Sequence, residues 1–173
     1  TMASIRDLCP GTGIEILVPD FNGSVGALER VCNTHPEMFN HNIETVPRIF
    51  KQVRPGASYQ GSLSLLARAS SHGLPTKSGM MLGLGETAGE IQQTLADLRR
   101  AACEHLTLGQ YLAPSKNHFP VARYVSPGEF ERWANIATEM GFRGVASGPL
   151  VRSSYRADAF YRASKTESCA LAG

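Results

Sequence analysis

A chain of 173 residues with 42% hydrophobic and 18% charged side chains has enough apolar material for one packed domain, which excludes wholesale disorder. Its longest apolar runs, such as Ile14–Val18 and Met80–Leu82, fall far short of the roughly 18 residues of a membrane-spanning helix, so no span is expected. The net charge of +2 is too small to imply a nucleic-acid surface, although the balance is uneven: residues 1–45 hold two basic and six acidic side chains, residues 46–173 the other fifteen and nine.

The chain begins Thr1-Met2 without a secretory pattern, which reads as an appended residue or as the cut end of something longer. Ile14 to Phe21 reads as a buried strand. Ser24 can cap a helix over 24–33 with apolar positions at Val25, Leu28 and Val31. Phe39 to Ile43 is a brief second strand, and Glu44-Thr45-Val46-Pro47 reads as a turn away from it. Tyr59 to His72 carries Leu63, Leu65, Leu66 and Ala69 and closes at Gly73, a helix with a C′ glycine. Lys77 to Leu84 is the third strand. Thr87 with Glu90 is a capping box that opens a helix running to about Cys103. His105 to Leu112 follows as a strand. Ser126-Pro127 then starts a helix that ends at Gly141. Gly144 to Leu150 is the fifth strand, a further helix is expected over 156–164, and the domain is drawn as 1–165 with a disordered tail over 166–173.

Strand-then-helix steps repeating about every 30 residues mean parallel strands with right-handed crossovers, either doubly wound or an arc of a β/α barrel. The arc is favoured because unusual polar residues recur where each strand ends: Pro19-Asp20, His41-Asn42, Gly85-Glu86, Gln110-Tyr111 and Ser147-Gly148-Pro149. Those ends share one face, the ligand face of such folds.

Three strings stand out on that face. Gly79, Gly83 and Gly85 alternate along one strand and leave a backbone edge bare, as a bulge, a barrel corner or a flat ligand would require. Glu86 beyond them suits either a helix N-terminus or an amine or ribose hydroxyl. His41-Asn42-Ile43-Glu44-Thr45 is a polar cluster in which a lone histidine is a hydrogen-bonding group before it is a metal ligand. Arg152-Ser153-Ser154-Tyr155 reads as a helix cap or as a polar lid, and no nucleophile elbow surrounds either serine. Cys9, Cys32, Cys103 and Cys169 lie too far apart for a local zinc or iron–sulfur motif and read as reduced thiols.

Taken together, Glu15–Phe21, Asn40–Arg48, Val53–Tyr59, Thr76–Thr87, Gly109–Leu112 with Pro114-Ser115, and Gly148–Tyr155 resemble the lipoyl synthases, radical S-adenosylmethionine (SAM) enzymes, over nearly all of residues 5–160. The resemblance implies an α/β fold, the C-terminal arc of a partial (β/α)6 TIM-like barrel. It implies sulfur insertion at C6 and C8 of a protein-bound octanoyl chain, with SAM and two 4Fe–4S clusters as cofactors. Gly79, Met81, Gly83 and Glu86 then take the spacing of the SAM-contacting strand, with Met81 where isoleucine is usual. His41, Asn42 and Glu44 join the cofactor face, and Arg54, Gln110, Tyr111 and Arg152 the substrate face. Ser153, with Ser154 as the alternative, becomes the hydroxyl ligand of the auxiliary cluster. Implied partners are octanoylated lipoyl-carrier domains or glycine cleavage H protein, together with iron–sulfur carrier and reductant proteins, in the bacterial cytoplasm or alternatively a mitochondrial matrix or plastid.

The family's three radical-SAM cysteines and three auxiliary-cluster cysteines have no counterpart in this chain. The expectation is therefore a C-terminal portion that holds neither cluster and does not turn over alone. The competing expectations are a non-catalytic module that binds SAM or octanoyl protein and, more remotely, an unrelated α/β enzyme.

Overall fold

The computed structural model describes residues 1–158 and 160. Its elements in chain order are α1 (Met2–Leu8), β1 (Glu15–Leu17), α2 (Val25–Cys32), β2 (Met38–Asn40), α3 (Pro47–Val53), α4 (Tyr59–Ser71), β3 (Thr76–Leu82), α5 (Ala88–Arg100), β4 (His105–Gln110), α6 (Pro127–Glu139) and β5 (Gly144–Gly148). The helix expected over 156–164 lies largely outside the described residues, as does the tail over 166–173.

The caps fall where the sequence places them. Ser24, Ser58 and Ser126 each accept a backbone N–H of the first turn of their helix, and both halves of the Thr87–Glu90 capping box are formed. Gly73 and Gly141, at φ +77° and +88°, turn the chain out of α4 and α6 in a conformation that side chains resist. Two helices were not expected. Directly after the expected Glu44–Pro47 turn the chain forms α3, because Pro47 occupies its first position, where the missing N–H costs nothing, and Ile49 and Phe50 are buried. No residue of α1 is buried, so no apolar stripe marks it in the sequence. The strands are also shorter than their apolar runs.

All five strands are parallel and pair strictly with their sequence neighbours, in the order β1-β2-β3-β4-β5. A doubly wound sheet must reverse its strand order, and none of these does, so the sheet is an arc of a barrel. One face carries the apolar core: Phe50, Leu82, Ile91, Leu95, Leu98, Leu106, Leu108 and Phe130 are buried against α3, α5 and α6, while Phe39 joins Leu28, Cys32, Leu65 and Ala69 under α2 and α4. Burying each large apolar side chain stabilises by about 1.5–3 kcal/mol.

The other face, the lumen, is polar. Lys77 has a fully buried side chain, and its Nζ lies 3.0 and 3.1 Å from the two Glu15 carboxylate oxygens. Asn40 Nδ2 donates to the same carboxylate at 2.8 Å. Beside Lys77 in register stands His105, buried, with neither ring nitrogen partnered. Burial first, then the charges of Lys77 and Arg143, push its pKa down to about 4.

A histidine whose folded pKa lies below its unfolded value binds fewer protons when folded, so its stabilisation is complete above pH 6.5 and is lost as pH falls toward 4. Between pH 7 and 4 the wild type should therefore lose on the order of 2–3 kcal/mol through this residue. A His105→Leu variant followed by urea unfolding over the same range should show a visibly shallower decline; equal slopes would refute the assignment.

Candidate functional site

The C-terminal ends of β2 to β5 enclose a cavity of about 170 Å³ lined by Asn42, Glu44, Gly79, Met81, Arg152 and Ser153, among others. Alternation along β3 sends Met80 and Leu82 into the core and leaves Lys77, Gly79 and Met81 on the lumen face. Gly79 is bare for a geometric reason. A Cβ there would lie 2.6 Å from Asn42 Oδ1 and 2.9 Å from Thr107 Oγ1. The Asn42 Oδ1 atom is itself buried and has no hydrogen-bond partner, an open acceptor at the lumen wall.

A bulge aims Glu44 into this cavity. Asn40 pairs with Lys77 but Glu44 bridges to Met80, so four residue steps on one strand face three on the other. The displaced Ile43 N–H is taken up by Ser78 Oγ at 3.0 Å, while Glu44 N–H donates to Gly79 O and Glu44 O accepts from Met81 N–H. Glu44 pays for its position with φ +66°, unusual for a side chain of its size. Burial raises its carboxyl pKa, opposed by the Arg54 charge and by a hydrogen bond from Asn42. Glu44 and Met81 also line an adjoining groove of about 690 Å³ with Arg54, Tyr111, His118 and Phe119.

The turn after β3 is built by Glu86. Its two carboxylate oxygens accept Gly83 N–H at 2.7 Å and Leu84 N–H at 2.8 Å, and Arg123 stands 3.9 Å away. The carboxylate thus closes its own loop instead of reaching into the lumen. Gly83, at φ +100°, is required there, since a Cβ would strike Gln110 Nε2 and lie 2.5 Å from Arg123 O.

The other sequence candidates divide between the helix side, the cavity and the adjoining groove. His41 is buried on the helix side, its ring nitrogens engaged by Val18 O at 2.9 Å and Ser62 Oγ at 3.0 Å, and burial lowers its pKa. Gln110 uses its amide on Val125 N–H, Tyr111 O and Arg123 O, although it borders the cavity, and Tyr111 donates to Phe119 O. Arg54 lies in the adjoining groove. Arg152 and Ser153 reach the cavity, while Ser154 is exposed and is not among its lining residues. Sequence reading missed Thr107, which faces Gly79 in register and could have been found by pairing the two strands. It also missed Gly109, bare because the Val151 carbonyl packs against it.

Residues 2–98 match the radical SAM superfamily. The chain is a radical SAM protein. This radical SAM chain is 56% identical over 163 residues to the lipoyl synthase of Acidothermus cellulolyticus, covering 94% of itself and 50% of that protein. It is 53% identical over 162 residues to the lipoyl synthase of Mycobacterium avium, with 94% and 53% covered. The resemblance read from the motifs thus extends over nearly the whole chain, which spans about half the length of these curated relatives. Streptococcus suis SuiB superposes with a TM-score of 0.63 at 8% identity, covering 84% of this chain and 34% of that one, and so shares the fold.

The cluster cofactors of this family do not fit the described residues. Cys9 is exposed, Cys32 and Cys103 are buried singly, and no group of three or more His, Cys, Asp or Glu side chains among the described residues could hold a metal. Burial pushes the Cys103 thiol up to about 12, far from the thiolate a metal needs. No described helix is long and apolar enough to cross a membrane.

The bulge gives a direct test. Ser78→Ala leaves the buried Ile43 N–H without an acceptor, at a cost of about 1–3 kcal/mol. Chemical denaturation should show that loss, whereas Ser115→Ala on an exposed loop should stay within about 0.5 kcal/mol of wild type.

Proposed function

We propose that this chain forms the SAM-binding and substrate-facing part of a lipoyl synthase, the enzyme that inserts two sulfur atoms into a protein-bound octanoyl chain. The observation that carries the reading is the unpartnered Asn42 Oδ1 beside the bare Gly79 backbone, in a cavity that also holds a carboxylate, a guanidinium and a hydroxyl. SAM is a zwitterion with an added sulfonium charge, and these groups match it in kind. Glu44 faces the cationic amine or sulfonium, Arg54 or Arg152 the carboxylate, and Asn42 and Thr107 the hydroxyl and amine donors. Were SAM bound there and cleaved by one-electron reduction from a cluster that this chain does not itself hold, it would supply radical abstraction of hydrogen from an unactivated C–H bond. The chain's own residues orient the ligand, exclude water and present the groove lined by Arg54, Met81 and Phe119, into which the octanoyl-lysine arm of a lipoyl-carrier domain or H protein would enter. Ser153 is our candidate for the hydroxyl ligand of the auxiliary cluster; the three cysteines that would complete that cluster have no counterpart in this chain. On this reading the chain alone does not turn over.

The separation of Cys9, Cys32 and Cys103 favours a second reading, a non-catalytic module that binds SAM or octanoyl protein. Anaerobic reconstitution with iron and sulfide, followed by visible absorption and by SAM cleavage, distinguishes activity from binding. The chain alone should gain no 4Fe–4S chromophore and should not cleave SAM; gaining both would overturn the claim of inactivity.

Calorimetry with SAM tests the site itself. Wild type should bind, and Gly79→Ala and Asn42→Ala should each weaken binding about tenfold or more, by filling the notch and by removing a buried hydrogen-bonding group. Unchanged affinity in both variants would sink the proposal.

A further inference from the structure

Phe160 is buried to 5% exposure at the floor of the lumen. Lys77 Nζ sits 4.4 Å from its ring centroid, and the His105 imidazole meets it edge-on at 5.5 Å. The next position in register is Gly144, where a Cβ would come within 2.7 Å of Phe160 Cδ1 and 2.6 Å of His105 Nδ1. A cation over the ring face, an imidazole at its edge and a strand stripped to glycine make a seat specific for an aromatic ring. A mere gap in the core would accept any apolar side chain.

The chain between β5 and this seat carries Arg152 and Ser153. Its near end is fixed at β4, where Gln110 N–H donates to Pro149 O at 3.4 Å and Gly109 is bare to admit Val151 O. Its middle is a turn closed by Tyr155 N–H donating to Arg152 O at 2.9 Å. That turn buries little of its own: Leu150 is 81% exposed and Tyr155 45%, with Val151 the buried residue between them. Its order must come from its two ends.

We propose that Phe160 is a positioning residue, seated in the row Lys77–His105–Gly144 so that the Arg152–Tyr155 turn is held over the lumen mouth with Arg152 and Ser153 facing Asn42 and Gly79. The functional weight of this device rests on the reading of Arg152 and Ser153 as site residues; the device itself does not.

Amide hydrogen exchange on the full chain, without ligand, tests it. Phe160→Ala should speed exchange in the 152–155 turn by about tenfold or more while the β3–β4 ladder keeps its protection, and Phe160→Tyr should restore wild-type rates. Wild-type turn rates in Phe160→Ala, or equal loosening of turn and ladder, would show Phe160 to be ordinary core. Should Phe160→Ala not fold, Phe160→Leu keeps much of the volume without the ring. It should still loosen the turn by about threefold or more where Phe160→Tyr does not, and equal behaviour of the two rejects the proposal. No SAM or iron enters the measurement, so failure of SAM to bind would leave this result standing, and the reverse holds equally.

Discussion

The C-terminal face of this protein hangs on one carboxylate. By taking the N–H groups of Gly83 and Leu84, Glu86 fixes the turn that ends β3, and the carbonyls of that turn become anchors for everything around it. Gly83 O accepts Ala122 N–H at 2.8 Å and so ties down the long β4–α6 connection, while Gly85 O accepts Arg48 Nη2 at 2.8 Å and ties in α3. Arg48 also holds Glu90, the capping-box residue of α5, whose carboxyl is held down to about 2 by that hydrogen bond first. Two segments distant in sequence, the β4–α6 connection and α3, thus take their positions from the carbonyls of one turn. A buried carboxylate can do this because two charge-assisted bonds satisfy both of its oxygens.

The two faces of the sheet solve different problems. Toward the helices the strands present Leu, Met and Phe and gain stability by burial. Toward the lumen they present glycine, asparagine, threonine and a buried ion pair, and several atoms there remain unpaired. Such groups are costly, and their placement is uneven along the strands. Lys77 and His105 stand at the N-terminal ends, where barrel residues serve stability, and Asn42 and Glu44 at the C-terminal ends, where barrels place their chemistry.

Much of this was legible in the residues. Period, capping serines and closing glycines located five strands and four of the helices, because those signals are local. The ligand face was legible because polar residues recur at strand ends. Which of those residues point inward was not. His41 and Asn42 are adjacent, yet one faces helix and the other lumen, and the bulge that reaims Glu44 depends on a hydroxyl, Ser78, 35 positions beyond the N–H it accepts. Likewise Glu86 looked like a ligand contact because sequence shows a charge at a strand end but not the backbone it folds onto. The pairing of Glu15 with Lys77, 62 residues apart, has no local signature at all.

That pairing has a mechanical meaning. Strands lie about 4.8 Å apart, so in a flat sheet positions on β1 and β3 would be separated by about 9–10 Å, with β2 between them. An extended lysine and glutamate together reach about that far, so the 3.0 Å contact between Lys77 and Glu15 passes over the lumen face of β2 and ties the outer two of the three strands to each other. The edge strand β1, only three residues long, is then held to the sheet twice, by its ladder to β2 and by a carboxylate that both Asn40 and Lys77 engage.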